Sequence, residues 1–181
     1  FSISITCIGT ADEEKIVYRN GAKDTDLIYV SGDLGAAYMG LQLLEREKAV
    51  FGEKGNADFQ PDFSGKEYIL ECQLKPEARR DIVRILSENG IVPTSMIDVS
   101  DGLSSDILHI CKQSNAGCRI FEERLPIDYQ TALMAETFNM NVTTVALNGG
   151  EDYELLFTVP LSLHDKMSTL PGIHLVGHIT K

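Results

Sequence analysis

The chain has 181 residues, of which 43% are hydrophobic and 24% are charged, a composition typical of a folded globular protein. Lys and Arg number 16 against 27 Asp and Glu, so the formal net charge is −11. This acidity argues against nucleic acid and anionic membranes as partners, because both require a basic face. Two explanations of the excess acids stay open: a solvated acidic surface, or a few carboxylates gathered to hold divalent cations.

The first predicted element is a strand at Phe1–Ile8, where apolar residues alternate with Ser and Thr. The sequence starts without Met, and no basic segment of the kind found in a secretory signal precedes the apolar residues. We therefore interpret residues 1–9 as the last strand of a preceding domain and residues 10–181 as one further domain.

The cysteines show no CxxC spacing, which disfavours a zinc site or a disulfide framework. We expect free or buried thiols in a reducing cytoplasm. The four residues concerned are Cys7, Cys72, Cys111 and Cys118.

A strand, a glycine turn and a helix are predicted between residues 27 and 48. Leu27–Val30 is an apolar run typical of a buried strand, and it ends at a Ser-Gly turn. Apolar residues at helical spacing follow from Leu34 to Leu44. Residues 47–68 are rich in Gly, Asp, Lys and Asn, so we predict a surface insertion there.

The second half alternates strands and helices without a strict βαβ pattern, which favours an α+β fold of layered helices and sheet. Pro76 predicts a helix start and Gly90 its end. The later predictions are a strand at Ser95–Val99, a helix from Leu103 to near Gly117, a strand at Cys118–Phe121, a helix around Tyr129–Glu136, a β-prone segment at Val142–Leu147, a strand at Glu154–Val159, a short helix from Pro160 to Leu170 and a strand at Ile173–Ile179.

The segment Met96–Leu103, with the sequence MIDVSDGL, carries the sharpest chemical signal. A strand delivers Asp98, Ser100 and Asp101 to the start of a helix. Crowded carboxylates repel one another unless a cation neutralises them, and a helix N-terminus offers N–H groups to a phosphate. The alternative is that Ser100 or Asp101 simply caps the helix.

A second string, GGEDYE, occupies residues 149–154 ahead of a predicted strand. Its two glycines permit close approach of a ligand to the backbone. Glu151 and Asp152 are costly without a partner or solvent, and Tyr153 can stack on a ring or donate through its hydroxyl. A polar hairpin turn is the alternative explanation.

A third candidate element holds Arg19 and the Ser31–Gly35 turn. Arg19 suits a bidentate phosphate contact, and the turn precedes a helix N-terminus. No Walker A motif is present, because no Gly-Lys-Ser/Thr follows. A solvated surface arginine is the alternative.

In their order along the chain, these motifs resemble those of the thiamine-monophosphate kinases, a family related to aminoimidazole ribonucleotide synthetase. The resemblance covers the chain except residues 47–68, and its specific parts are the DVSDGL string and the GGEDYELLF string at residues 149–157. It implies a synthetase-like C-terminal domain with a mixed, largely antiparallel sheet. It also implies ATP-dependent phosphorylation of thiamine monophosphate to thiamine diphosphate in a cytoplasmic homodimer.

The resemblance also implies roles for individual residues. Asp98 and Asp101 would be Mg²⁺ ligands, and Arg19 and Ser100 would contact the phosphates of ATP. Glu151, with Asp152 and Tyr153, would line the thiamine phosphate side.

The family's N-terminal domain, with its own aspartate cluster, is represented here only by Phe1–Ile8. We therefore expect this chain alone to have little or no kinase activity. The alternatives are a related ATP-using synthetase or maturation protein, and a non-catalytic module that binds a nucleotide or thiamine.

Overall fold

The computed structural model describes residues 2–54 and 61–181; Phe1 and residues 55–60 lie outside the described residues. The strands are β1 Leu27–Ser31, β2 Ser95–Val99, β3 Gly117–Ile120, β4 Glu154–Val159 and β5 Ile173–Thr180. The helices are α1 Ala36–Lys54, α2 Glu67–Leu74, α3 Arg80–Glu88, α4 Leu103–Ser114, α5 Tyr129–Thr137, α6 Val142–Asn148 and α7 His164–Met167. Short 3-10 turns occur at Glu13–Lys15, Glu122–Arg124 and Leu161–Leu163.

The strands form one five-stranded sheet in the order β2-β4-β1-β5-β3, in which every neighbouring pair is antiparallel. Strand β1 is central and buried along its whole length, as its apolar sequence predicts. The α+β class and the antiparallel character are thereby confirmed, although the described sheet contains no parallel pair of the kind that a mixed sheet would have.

Helices cover both faces of the sheet, so the architecture is layered as predicted. Helix α4 packs on one face against Ile28 and Val30, while α3 and α7 pack on the other against Leu27 and Tyr29. The alternation of these neighbours along β1 follows from the period of two in a strand. A third cluster joins α1, α2, α5 and α6 beside the sheet. Among the described residues, no helix combines the length and the hydropathy that crossing a membrane requires.

The segment 2–8 forms no strand, in contrast to the prediction for Phe1–Ile8. Ile3 and Ile5 are 82% and 83% exposed. The alternating pattern is present, but none of the strands that the structure describes pairs with it, and a strand needs a neighbour for its backbone hydrogen bonds. Its assignment to a preceding domain stays a prediction.

The segment Val142–Leu147 was predicted to be β-prone, and this prediction was wrong because the segment forms α6. Asn141 caps the helix by accepting a hydrogen bond from the N–H of Thr144 at 2.9 Å. Val145 and Ala146 are buried against neighbouring helices, so tertiary packing overrides the strand preference of the β-branched residues.

Two helix boundaries also differ from the prediction. Helix α1 continues to Lys54, which makes the first part of the predicted 47–68 insertion helical. Helix α3 starts at Arg80 rather than at Pro76, because the backbone of Arg79 is non-helical, with a ψ of 55°, and the Arg79 side chain pairs with Glu154. The non-helical stretch that precedes α3 then lies over the sheet and borders the candidate site.

Candidate active site at the ends of strands β2 and β4

The two strings singled out by the sequence lie side by side in the structure. Strands β2 and β4 pair antiparallel, with Asp98 opposite Leu155. Beyond the ladder, the Glu151 N–H donates to the Ser100 carbonyl at 2.9 Å, and the Tyr153 N–H donates to the Val99 carbonyl at 2.9 Å. The end of β2 and the loop before β4 therefore form one continuous site.

Gly150 makes the close approach of the two loops possible. Its φ of +69° is in the left-handed region, and a Cβ there would lie 2.6 Å from the Ser100 carbonyl oxygen. Only glycine adopts this conformation routinely and leaves that space free. Gly150 thus brings the loop close to the backbone of the neighbouring turn, whereas the sequence prediction was close approach of a ligand, which stays a prediction.

Asp106 fixes the turn that carries the predicted ligands, and the sequence reasoning missed it. This carboxylate is 1% exposed, and its Oδ2 accepts the N–H groups of Ser100 and Asp101, each at 3.1 Å. Burial raises the pKa of Asp106, its hydrogen bonds to the two N–H groups oppose the rise, and the charges of Asp101 and Asp98 add to it. The signal in the sequence that could have indicated this role is the position of Asp106 beside the apolar stripe of α4.

Asp101 and Asp106 also approach a histidine. With His109, one ligand atom from each of the three residues lies within 4.8 Å of the others. Asp106 is buried and uses Oδ2 for both bonds to the turn, whereas Asp101 is exposed, so Asp101 is the more accessible ligand of the two. The predicted pair of Asp98 and Asp101 offers hard oxygen donors of the type that Mg²⁺ prefers.

Glu151 and Tyr153 form a pair on the exposed side of the loop. The Tyr153 hydroxyl donates to Glu151 Oε2 at 2.9 Å. This bond raises the pKa of Tyr153, and the charges of Glu151, Asp98 and Asp101 raise it further. The Tyr153 ring thus lies close enough to Glu151, Asp98 and Asp101 for their negative charges to act on its hydroxyl.

Asp152 is directed away from that pair and lies at the N-terminus of α1. Its carboxylate accepts the N–H of Gly35 at 2.8 Å and that of Ala37 at 3.4 Å. Burial raises the pKa of Asp152 to about 7, with the two N–H bonds opposing the rise and the charges of Asp33 and Glu154 adding to it. The helix start that the sequence offered to a phosphate is therefore occupied by a carboxylate of the chain itself.

Glu154 is bound by an arginine and a serine. Arg79 Nη1 lies 2.5 Å from Glu154 Oε2, and the Ser31 hydroxyl donates to the same oxygen. Arg79 also pairs with Asp81 at 2.9 Å. Glu154 thus anchors the segment before α3 to the sheet.

The segment before α3, residues 76–79, borders a cleft composed of two adjoining cavities of about 500 and 350 Å³. These four residues line both cavities. The smaller cavity is lined by Asp98, Tyr153 and Leu155, and the larger by Tyr68, Asp152 and Glu154 among others. Tyr153 is 36% exposed, so its ring is accessible from the cleft. The cleft combines apolar and aromatic surface with carboxylates, the composition expected of a small-molecule site.

Arg19 is not brought to this cleft by the described residues. The Tyr18 carbonyl accepts the Met96 N–H at 2.9 Å, and the Gly21 N–H donates to Ser114 Oγ at 3.2 Å. These contacts lie at the beginning of β2 and the end of α4. Asp98 and Ser100 lie at the opposite ends of the same two elements, so a phosphate role for Arg19 stays a prediction.

Comparisons with known proteins identify relatives of this chain. Over 158 residues the chain is 34% identical to thiamine-monophosphate kinase from Aquifex aeolicus strain VF5, a match that covers 87% of this chain and 46% of that protein. A solved structure of AaThiL complexed with AMPPCP and TMP is 31% identical with a TM-score of 0.75, covering 93% of this chain and 49% of that one. The chain spans about half the length of the curated relatives it matches. No protein-family model matches it.

The resemblance to thiamine-monophosphate kinases is thus confirmed in both sequence and fold. Hydrogenase maturation protein HypE in complex with ATP is 14% identical with a TM-score of 0.65, covering 91% of this chain and 45% of that one. This likeness concerns the fold alone.

Proposed function

We propose that this chain is part of a kinase that transfers the γ-phosphoryl group of ATP to thiamine monophosphate, with ADP and thiamine diphosphate as products. The observation that carries the proposal is the junction of the two specific strings: backbone hydrogen bonds join the end of β2 to the Glu151–Tyr153 loop, and Asp98 and Tyr153 line the same cavity. The relatives named above support the same reaction, since one of them was solved with AMPPCP and TMP.

The proposed chemistry depends on positioning and on charge neutralisation. Asp98 and Asp101 would hold Mg²⁺, which would neutralise phosphate charge at this turn when bound. Ser100, and Arg19 as the sequence suggests, would contact the phosphates of ATP. The attacking phosphate oxygen of the acceptor is already anionic, so the chain needs no covalent nucleophile for in-line transfer.

The thiamine side of the cleft is proposed to be formed by Glu151 and Tyr153, with Asp152 behind them. A carboxylate hydrogen-bonded to a phenol offers both negative charge and an aromatic face. Both features suit a ring cation, because the face of an aromatic ring attracts positive charge. This matches the chemistry of thiamine, which carries a positively charged ring.

We further propose that the active protein is a cytoplasmic homodimer in which a preceding domain completes the ATP site. Residues 1–9 would then be the last strand of that domain. This chain alone is therefore expected to have little or no kinase activity.

An ADP-release assay with thiamine monophosphate as acceptor tests both parts of the proposal. The full-length protein should turn over, and the 181-residue chain should not. Comparable turnover in both would contradict the proposed inactivity, and no turnover in the full-length protein would contradict the proposed reaction. Size-exclusion chromatography with light scattering would check the dimer.

A matched pair of variants in the full-length protein tests the site. Asp98→Asn should reduce kcat by at least about 100-fold, since it removes a charge worth several kcal/mol of transition-state stabilisation through the metal. Asp165→Asn, on the exposed side of α7, should leave kcat within about twofold. Calorimetry that detects binding of thiamine monophosphate and an ATP analogue, combined with an absence of product, would favour a non-catalytic binding module instead.

A further inference from the structure

Asp152 lies between two residues that hold an unfavourable backbone conformation. Glu151 has a φ of +61° and Tyr153 a φ of +52°. Non-glycine residues rarely adopt the left-handed region, and they persist there only where the surrounding structure holds them. The loop therefore needs anchors that are stronger than its own conformational preference.

Three anchors hold this loop. The N–H groups of Glu151 and Tyr153 donate to the end of strand β2, at the Ser100 and Val99 carbonyls. The third anchor is the Asp152 carboxylate, which accepts two N–H groups at the start of the 19-residue helix α1. A carboxylate there is favoured by both the free N–H groups and the helix dipole.

The start of α1 has a backbone conformation that suits its contact with Asp152. Gly35, which donates the shorter bond, has a φ of +84°, and a Cβ there would lie 2.7 Å from Val145 Cγ1. Both carboxylate oxygens of Asp152 are engaged, one by each N–H group. The side chains on either side of Asp152 instead form the exposed Glu151–Tyr153 hydrogen bond.

We infer that Asp152 is a positioning residue. Its carboxylate borders the larger cavity, but both of its oxygens are bound by N–H groups at the start of α1. It therefore acts by holding the hydrogen-bonded Glu151–Tyr153 pair beside the smaller cavity, which Tyr153 lines together with Asp98, rather than by contacting the substrate. This inference rests on the proposed function. It differs from the role that the sequence suggested, in which Asp152 lines the thiamine phosphate side.

Two substitutions in the full-length protein separate geometry from charge. Asp152→Asn keeps the shape and an oxygen that accepts the shorter bond, from the Gly35 N–H at 2.8 Å, and loses only the longer one from Ala37 at 3.4 Å, so KM for thiamine monophosphate should stay within about threefold. Asp152→Glu keeps the charge but is one methylene longer, so this KM should rise at least tenfold while KM for ATP changes less than threefold. The opposite order, with the Asn variant impaired and the Glu variant intact, would overturn the inference.

A double-mutant cycle with Glu151→Gln supplies a second test. If Asp152 acts through Glu151, then Asp152→Glu should raise KM by less than threefold in the Glu151→Gln background. Full additivity of the two effects would indicate a direct contact with substrate and would overturn the inference. Glu136→Gln, an exposed site on α5, is the control background and should leave the tenfold effect intact.

Amide hydrogen exchange on the 181-residue chain keeps the test independent of activity. Asp152→Glu should accelerate exchange at Gly35, Glu151 and Tyr153 at least tenfold, whereas Asp152→Asn should change it less than threefold. Unchanged exchange in the Glu variant would overturn the inference even if the kinase reaction were established. Absence of turnover in the wild-type protein would instead overturn the proposed function.

Discussion

Replacing Gly150 with alanine should destabilise the chain through contact with the neighbouring loop. The new Cβ would lie 2.6 Å from the Ser100 carbonyl oxygen and 3.1 Å from the Asp101 carbonyl carbon. Both atoms are backbone, so neither can move by rotating a side chain. Relief requires the two loops to separate, which breaks the bond from the Glu151 N–H to Ser100.

The magnitude follows from three contributions. A left-handed alanine costs roughly 1–2 kcal/mol, of which about 0.4–1 kcal/mol is offset by the smaller conformational freedom of the unfolded chain. Loss of the inter-loop hydrogen bond adds about 1 kcal/mol, and the steric displacement about 1 kcal/mol more. The free energy of unfolding should therefore fall by about 3 kcal/mol.

Gly90 offers a matched control. Its φ is +62°, close to the +69° of Gly150, but no atom outside its immediate chain neighbours lies within 4 Å of a Cβ built there. Gly90→Ala should then show only the conformational cost, about 1 kcal/mol. The difference of about 2 kcal/mol between the two variants is the contribution of the loop contact.

Urea unfolding of the 181-residue chain, followed by circular dichroism, measures both values. The corresponding difference in Tm is about 4–8 °C for a domain of this size. Equal losses in Gly150→Ala and Gly90→Ala, within about 0.5 kcal/mol, would refute the reasoning, because the close approach of the loops would then contribute nothing.

Three further changes probe the buried charges around the site. Asp106→Ala should lower the free energy of unfolding by about 2 kcal/mol in urea titrations, because two backbone N–H groups lose their partner; a loss below about 0.5 kcal/mol would contradict the role assigned to this carboxylate. The pKa of Asp152 is raised to about 7, so the folded state binds more protons than the unfolded state between about pH 4 and pH 7, and stability should decrease as pH rises through this window. Asp152→Asn should make that decrease shallower in unfolding curves recorded at several pH values, and an unchanged slope would argue against the shift. Arg79→Ala should lower the free energy of unfolding by about 2 kcal/mol, because it leaves Glu154 without its counter-charge. The same substitution should lower it by less in a Glu154→Gln background. Equal decreases in the two backgrounds would mean that the ion pair is not the cause.

Local patterns allowed much of the sheet to be predicted. An apolar run bounded by Ser-Gly indicated β1, and the strand–turn–helix at residues 95–114 was predicted within a few residues. Both predictions depend on neighbours in sequence, where glycine and the apolar period act directly. The strand predicted at Phe1–Ile8 and the β-prone segment at Val142–Leu147 show the limit, since a strand exists only where another strand pairs with it.

The long-range contacts of the site were not readable from the chain. Asp98 and Leu155 are 57 positions apart, and nothing local to either residue indicates that they are partners in a sheet. Asp106 was missed for a different reason: its partners, the N–H groups of Ser100 and Asp101, are near in sequence, but the turn that directs them at the carboxylate forms only in the folded chain. Arg79 falls within the helix predicted from Pro76, whereas in the structure it precedes α3 and pairs with Glu154, 75 positions away.

The acids of GGEDYE show what the sequence determines and what only the tertiary structure determines. The sequence alone determined that glycines, carboxylates and a tyrosine meet at one turn before a strand, because composition and order are sufficient for that. Only the tertiary structure decided their separate directions: Glu151 lies in solvent with Tyr153, Asp152 caps α1, and Glu154 pairs with Arg79. The physical reason is that a carboxylate goes to the N–H group or cation within its reach, and here helix α1 and Arg79 come from distant parts of the chain.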